Sequence, residues 1–511
     1  MNATHPYPRR WQALGVLALS LLVICIDNTI LNVALPSIRG DLDANASESQ
    51  WIVDSYLLLF AGLLLVGGTL GDRFGRRKAL LAGLAIFGTG SLLAGLSHSA
   101  HQLIACRALM GVGSAAIMPA TLSIITNIFP ADERPRAIAA WAGVSGLGVA
   151  LGPIAGGALI EQFDWSSVFF VNLPIVVVAL VAGAILIPDS RDPAKPRLDL
   201  VGAGLSTAGL SAIVWGLIEA SDRGWTALSI LGAFGAGAAV LAAFFAWELR
   251  AEHAMLDVAI FRNMRFSAAS ASVTFVFFAL MGSSFVLTSY LQTVMGFSAL
   301  GAGVRMLPLA FGLGFGARIS VRLVAAVGTK IIVASGLAIV ASSLAMLTAA
   351  TVDSGYGLVA ASEALMGLGM GICMAPGTDA IMGSLPPERA GVGSAVNDVV
   401  REVGGALGVA VIGSVLTSTY SPAMDDATRG LPAHAAGAAA DSVGAAHQVA
   451  TALGGDAGVR LIGAADQAFV HAMSTTMSIA AAVALAGALI ALRFLPARPQ
   501  PVAAVAEPVA A

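Results

Sequence analysis

Fourteen apolar runs, each long enough to cross a bilayer, constrain this 511-residue chain more than any other feature. A hydrocarbon core takes about 20 residues of helix. Such runs lie near 12–35, 51–71, 79–97, 102–126, 137–160, 167–187, 199–218, 226–247, 267–290, 300–321, 330–351, 357–380, 391–418 and 470–493. In lipid every backbone N–H and C=O must be satisfied inside the protein, so runs of this kind are predicted to be helices. Only 11% of the residues are charged, where a soluble protein carries about 25%. The chain therefore reads as an all-α polytopic protein of the cell (cytoplasmic or inner) membrane, with the lipid bilayer as its solvent. The first run, Trp11 to Leu35, follows Arg9 and Arg10 as a signal peptide's core would. It is too long for one and lacks a small-residue cleavage site, so it is read as the first span.

An even number of spans leaves both termini on one side, and Lys and Arg decide which. With the N-terminus inside, cytoplasmic segments hold 20 of the 27 Lys+Arg and outer segments hold four: Arg39, Arg223, Arg429 and Arg460. Both termini are therefore expected in the cytoplasm. No basic arm points to nucleic acid. Cys25, Cys106 and Cys373 lie in apolar runs without metal-ligand spacing.

The chain also repeats itself. Arg107-Ala-Leu-Met-Gly111-Val-Gly113 returns 256 positions later as Glu363-Ala-Leu-Met-Gly367-Leu-Gly369, and at that offset Pro130 meets Pro386, Gly148 meets Gly404 and Gly152 meets Gly408. Two related halves supply two bundles able to rock about a central site, the architecture of a secondary transporter. The offset exceeds what six helices need, so two extra spans separate the halves. The expected organisation is a six-helix bundle over 1–190, an insert of two helices with linkers over 191–265, and a second six-helix bundle over 266–496. The second bundle includes a long, partly ordered outer loop over 421–468, and a disordered tail follows over 497–511.

The densest local pattern is Gly68-Thr-Leu-Gly-Asp72-Arg73-Phe-Gly75-Arg76-Arg77-Lys78, between spans 2 and 3. Its glycines permit a tight turn, and its carboxylate can accept hydrogen bonds from an arginine or a helix N-terminus. Gly68, Asp72, Arg73, Gly75 and Arg76 are thus read as a latch at the cytoplasmic helix ends; the counterpart near Arg318–Lys330 has no Asp. Gly148, Gly152 and Gly156 recur every four residues along one helix face, where they let another backbone approach, and Pro153 beside Gly152 removes a helix hydrogen bond. Plain close packing explains these glycines equally well.

These patterns resemble the major facilitator superfamily, whose hallmark between spans 2 and 3 has the Asp72 pattern. Asp27-Asn-Thr29-Ile-Leu-Asn32-Val-Ala-Leu-Pro36 is similar to the first-span motif of its fourteen-span drug:proton antiporters, the EmrB/QacA type. Arg107-Ala-Leu-Met-Gly111 resembles the fourth-span motif, and Gly148-Val-Ala-Leu-Gly152-Pro153-Ile-Ala-Gly156-Gly157 the fifth-span antiporter motif. Trp165 to Pro174, Leu198 to Gly202 and Gly393 through Arg401 to Gly408 extend the match over almost the whole chain. The resemblance implies a major facilitator fold of two pseudo-symmetric six-helix bundles plus two helices. It also implies that Gly148, Gly152, Pro153, Gly156 and Gly157 favour exchange over symport.

Asp27, Arg107 and Glu363 are the candidate site. At 1.5 Å rise per residue all three lie roughly 9–14 Å below the outer surface, on spans that line the central cavity in the superfamily. Intramembrane ionisable groups mark proton and substrate paths, and a carboxylate that loses its cationic partner there can take up a proton. A purely structural Asp27–Arg107 ion pair is the competing reading. Asp398, Arg401 and Glu402, spaced three and four apart, form a second polar cluster, read either as a self-contained salt-bridge group or as a proton site, while the resemblance implies a packing or gating role for Arg401. Arg305 is expected to extend to the outer surface.

The function expected from this is proton-coupled export of amphipathic drugs or toxic small molecules. A narrow exporter of one metabolite or natural product in the same superfamily is the alternative. The phosphate-binding loop Gly-x-x-x-x-Gly-Lys-Ser/Thr is absent, so no cofactor is expected and the proton gradient supplies the drive. A periplasmic adaptor docking on 421–468 stays open. An enzyme or receptor would need a nucleophile elbow, a metal-spaced set or a soluble domain, and the sequence has none.

Overall fold

A computed structural model of the chain describes residues 7–44, 46–191, 199–251, 256, 258–385 and 389–496. The expected tail 497–511 lies outside the described residues. So does the greater part of the first linker, 192–198.

The described residues contain helices and no strands. In order they are α1 (Arg10–Asp41), α2 (Ala46–Phe74), α3 (Arg76–Gly95), α4 (Ala100–Ile128), α5 (Arg134–Gln162), α6 (Ser167–Phe170), α7 (Asn172–Leu186), α8 (Leu200–Arg223) and α9 (Leu228–Glu248). After a short 3-10 turn follow α10 (Met264–Ser289), α11 (Ala299–Arg305), α12 (Leu307–Val327), α13 (Thr329–Leu347), α14 (Tyr356–Met382), α15 (Ala390–Ala423), α16 (Ala433–Asp441), α17 (Val443–Leu453) and α18 (Gly455–Phe494). Counting α6 with α7 and α11 with α12, thirteen spans among the described residues are long and apolar enough to cross a membrane. The chain is a multi-pass membrane protein. The expected count was fourteen; the difference is run 137–160, which falls in α5, a 29-residue helix outside the thirteen.

The internal repeat is present in the packing. α1 packs on α5 as α10 packs on α15, and α4 lies between α2 and α3 as α14 lies between α12 and α13. Glycine sets these distances. A Cβ added at Gly113 would lie 2.7 Å from the carbonyl oxygen of Gly83, and one at the repeat-related Gly369 would lie 2.6 Å from that of Gly336. Side chains are excluded where helix backbones come this close. Pro119 lies inside α4 and Pro376 inside α14, one position off the repeat offset, and each removes one hydrogen bond from its helix.

One buried apolar cluster is drawn almost wholly from α1–α7, and a second chiefly from α10–α18. The two groups of helices meet along two seams, α2 against α15 and α5 against α11 and α12. Of the two inserted helices, α8 packs on α2 and α15 together, so the insert covers the first seam. Trp225, just past α8, donates its indole N–H to Ser414 of α15.

Segment 421–468, expected as a partly ordered loop, is mostly helical. α17 folds onto α18 and α16 onto α17 and α15, and α18 starts at Gly455 rather than near 470. Ala439, Val443, Ala446, Ala450, Leu461 and Ala465 are buried there, and Tyr420 Oη donates to Ala439 O at 3.1 Å. Small apolar side chains at helical spacing join this segment to the buried cluster of the second bundle.

Candidate functional site

The site residues of the first half assemble inside its bundle. Arg107, in the second turn of α4, donates from Nη1 to Asp27 Oδ2 on α1 at 2.5 Å, and both side chains are 1% exposed. Arg107 Nε donates to the Ile52 carbonyl at 3.2 Å, and its guanidinium lies over the Tyr56 ring, 4.3 Å from the centroid. Tyr56 Oη donates to Ser114 Oγ at 2.8 Å. Asn172, the first residue of α7, donates from Nδ2 to Asp27 Oδ1 at 2.9 Å and to Ser91 Oγ on α3 at 3.1 Å. Both carboxylate oxygens of Asp27 are thus occupied, by groups from α4 and α7. The buried pair is paired and hydrogen-bonded as a charge in a low-dielectric interior requires.

Glu363 stands apart. It is 1% exposed on α14, and neither carboxylate oxygen has a hydrogen-bond partner among the described residues. It shares no described hydrogen bond or ion pair with Asp27 or Arg107. Its helix neighbour Ser362 binds the Ser343 carbonyl on α13 at 2.8 Å, and Met366 accepts a contact from Ser283 of α10 at 3.7 Å. An unpartnered buried carboxylate is costly when ionised.

Within the cluster of Asp398, Arg401 and Glu402, Arg401 Nη1 forms an ion pair with Asp398 Oδ1 at 3.7 Å, longer than a hydrogen bond. Its guanidinium also lies against the Phe277 ring of α10, at 4.6 Å, and the Trp141 ring of α5, at 5.3 Å. Arg401 therefore touches both bundles. Arg305, expected to reach the surface, folds over Phe297 at 3.5 Å, and Tyr356 Oη donates to its carbonyl at 2.6 Å.

Of all the sequence motifs, the Asp72 loop makes the contacts with the plainest mechanical meaning. Asp72 Oδ1 accepts from the backbone N–H of Gly391 at 3.0 Å, and Oδ2 from that of Val392 at 3.2 Å. Those are first-turn donors of α15, which have no partner within their own helix. One carboxylate of the first bundle thus caps a helix of the second. Arg76, 1% exposed, holds the same oxygen from its own bundle at 2.8 Å. Gly68 permits the approach: a Cβ there would lie 2.5 Å from Gly391 O. Gly75 turns the chain at φ 114°, in the left-handed region, where a Cβ would also lie 2.7 Å from Asp189 Oδ1. Arg73 lies over the Phe74 ring at 5.3 Å.

Gly148, Gly152 and Gly156 face α1, against Cys25, Thr29 and Ile30 respectively, while Gly157 faces Leu300 of α11 across the second seam. The glycine face on α5 is thus a close-packing surface on both sides. The Pro153 side chain lies outside the described residues.

Asn172, Tyr56 and Ser91 did not stand out in the sequence, although Asn172 falls inside the Trp165–Pro174 match. An amide inside an apolar span, two residues before Pro174, is the signal that could have found it. The N–H groups of Gly391 and Val392, which Asp72 caps, lie 319 and 320 residues away in sequence, beyond the reach of local patterning.

A sequence model of the Major Facilitator Superfamily matches residues 17–409. The multidrug efflux pump LfrA of Mycolicibacterium smegmatis is 38% identical over 490 residues, covering 96% of this chain and 97% of that protein. The tetracenomycin C resistance and export protein of Streptomyces glaucescens is 35% identical over 95% of this chain and 91% of its own. The crystal structure of the human organic anion transporter MFSD10 has the same fold, with a TM-score of 0.62 at 14% identity, covering 95% of this chain and all of that one.

Proposed function

The chain belongs to the Major Facilitator Superfamily, and from that premise we propose that it exports amphipathic drugs or toxic small molecules across the cell membrane in exchange for protons. It is a transporter rather than an enzyme. The relatives named as multidrug efflux and resistance proteins support drug export. The observation that carries proton coupling is Glu363, buried within a span with both carboxylate oxygens unpartnered. A group in that setting is well suited to alternate between a protonated form that tolerates burial and an ionised form that meets water or a cationic cargo. Asp27 with Arg107 is the second element of the proton-handling set, and Asp398, Arg401 and Glu402 sit where the two bundles face each other.

In this reading α5 is the fourteenth span, which gives the topology of the EmrB/QacA type with both termini in the cytoplasm. The Asp72 latch then closes the cytoplasmic ends, and its release opens the cavity inward. Export of one natural product is the second reading, and the 35% identity to a tetracenomycin C exporter favours it.

The test is transport in proteoliposomes under an imposed pH difference. Wild-type protein is expected to move ethidium against its gradient only when the opposite side is acidic. Glu363→Gln removes no hydrogen-bond partner and is expected to fold while losing this dependence. Ethidium movement that ignores the pH difference would refute proton coupling, and a pH-driven Glu363→Gln variant would remove Glu363 from it.

A further inference from the structure

The Asp27 network contains an acceptor with nothing to accept. Asn172 is fully buried, and its Nδ2 serves both Asp27 Oδ1 at 2.9 Å and Ser91 Oγ at 3.1 Å. Ser91 passes its own proton to the Phe169 carbonyl at 2.8 Å. The amide oxygen of Asn172 has no hydrogen-bond partner among the described residues. Buried amide oxygens are normally paired, and an exception asks for an explanation.

We propose that Asn172 is a two-position partner that follows the protonation state of Asp27, an inference that rests on the proton-coupled reading above. With Asp27 ionised, the amide presents its NH₂ group, as seen here. When a proton arrives on Asp27 Oδ1, that oxygen becomes a donor and faces another donor. Half a turn of the amide about its Cβ–Cγ bond replaces the NH₂ with the idle carbonyl oxygen, which accepts the new O–H, and the Ser91 hydroxyl, no longer receiving an N–H, turns its own O–H from the Phe169 carbonyl to that oxygen. The proton ends on the carboxyl group, and Asn172 neither gains nor loses one. Such a side chain can satisfy both forms of the acid because an amide carries a donor and an acceptor and does not titrate.

The surroundings give the switch a consequence. Protonation removes the charge that Arg107 Nη1 faces, but Arg107 keeps the Ile52 carbonyl and the Tyr56 ring, both on α2. Arg107 thus stays with α2, while α1 loses its ionic tie to α4 and remains joined to α7 through Asn172. The other titratable or charged groups around this position are Tyr56 on α2 and, across the seam, Arg401 and Glu402 of α15, whose charges reach Cys25 and Tyr56. Asn172 is the partner of Asp27 that can reverse its hydrogen-bonding role without changing charge.

The experiment compares full-length wild type and Asn172→Leu in proteoliposomes, recording the pH of half-maximal ethidium transport. A donor to a carboxylate is worth more than an acceptor for a neutral acid, so its loss is expected to move that pH upward by about one unit. Should the leucine variant fail to insert, Asn172→Asp keeps the shape and decides the matter. Two adjacent carboxyl groups sharing a proton shift the profile upward by at least as much. A pH-dependent wild type with an unshifted variant overturns the inference alone. A wild type indifferent to pH overturns the proton-coupled reading and the inference with it.

Discussion

Replacing Asp72 with Asn should release the proposed latch by an amount that the contacts allow to be worked out. The carboxylate makes two kinds of bond. Its pairing with Arg76 lies within one bundle, four residues along the chain, so it is present whichever way the bundles rock and cancels from the difference between conformers. Its bonds to Gly391 N and Val392 N cross between bundles and exist only when the latch is closed. An asparagine keeps one carbonyl oxygen for one of those donors and turns an NH₂ toward the other. One charge-assisted bond is lost, worth about 1.5–3 kcal/mol, with little solvent screening because Asp72 is 5% exposed. The closed state should lose roughly 10- to 150-fold in population relative to the open one. Nitroxide labels at Phe74→Cys and Val327→Cys, both exposed and at the latch end of their helices, report this in a chain whose native cysteines have been replaced. Pulsed electron-spin distance measurements should show a longer component growing in Asp72→Asn. Gly391→Ala should do the same without touching any charge, since its Cβ would sit 2.6 Å from the Asp72 carboxylate. Distance distributions unchanged from wild type in both variants would refute the latch.

Two further outcomes are expected. Asp27→Asn leaves Arg107 buried without its counter-ion, a loss of about 3 kcal/mol at the low end for broken buried pairs, since the Ile52 carbonyl and Tyr56 ring remain. Its melting temperature in detergent should fall, and adding Arg107→Met should restore part of it; a melting temperature equal to wild type would show that the pair is not a structural tie. At the start of α1, Arg10 Nε and Nη2 donate to the two Glu133 oxygens at 2.7 and 2.8 Å and hold that carboxyl below its usual range. A depressed folded-state pKa means that the pair stabilises at neutral pH and that the contribution disappears as pH falls through the carboxylate range, below about pH 4. Between about pH 7 and that range, wild type should therefore lose more thermal stability than Glu133→Gln, and parallel melting curves would count against it.

The spans, the repeat and the closeness of Asp27 to Arg107 were legible in the sequence because each has a one-dimensional signature: run length, offset, and equal depth in opposite-running helices. Azimuth was not. α4 and α14 are apolar on every side, so periodicity does not tell which way a residue faces. Equal depth therefore grouped Asp27, Arg107 and Glu363, whereas the structure pairs the first two, with Asp27 also bonded to α7 and Arg107 to α2, and leaves the third in the other bundle. Glycine spacing was the better guide, since Gly148, Gly152 and Gly156 identified a packing face that does meet α1. Arg401 was legible only in part. Its spacing from Asp398 pointed to the ion pair one turn away, but a planar guanidinium is also satisfied by aromatic faces, and Trp141 and Phe277 come from helices that no spacing rule connects to it.

The repeat makes the difference between the halves a matter of chemistry at matched positions. Gly111 of α4 meets the Tyr56 backbone and Gly367 of α14 meets that of Leu309, so Tyr56 and Leu309 occupy equivalent places. Where the first half sets an aromatic face under a cation, the second has an aliphatic residue at the matched position of α12. Arg107 has a carboxylate, a carbonyl and a ring, while Glu363 has no hydrogen-bond partner. Restoring symmetry by Leu309→Tyr would place a phenol beside Glu363 as Tyr56 sits beside Arg107. If the isolation of Glu363 is what makes it exchange protons, that variant should transport with a pH of half-maximal rate displaced toward acid, because a hydroxyl donor stabilises the ionised form. The displacement should be about one unit for one hydrogen bond to a charged group. An unmoved profile in a folded, transporting Leu309→Tyr protein would mean that the acid answers to something other than its lack of partners.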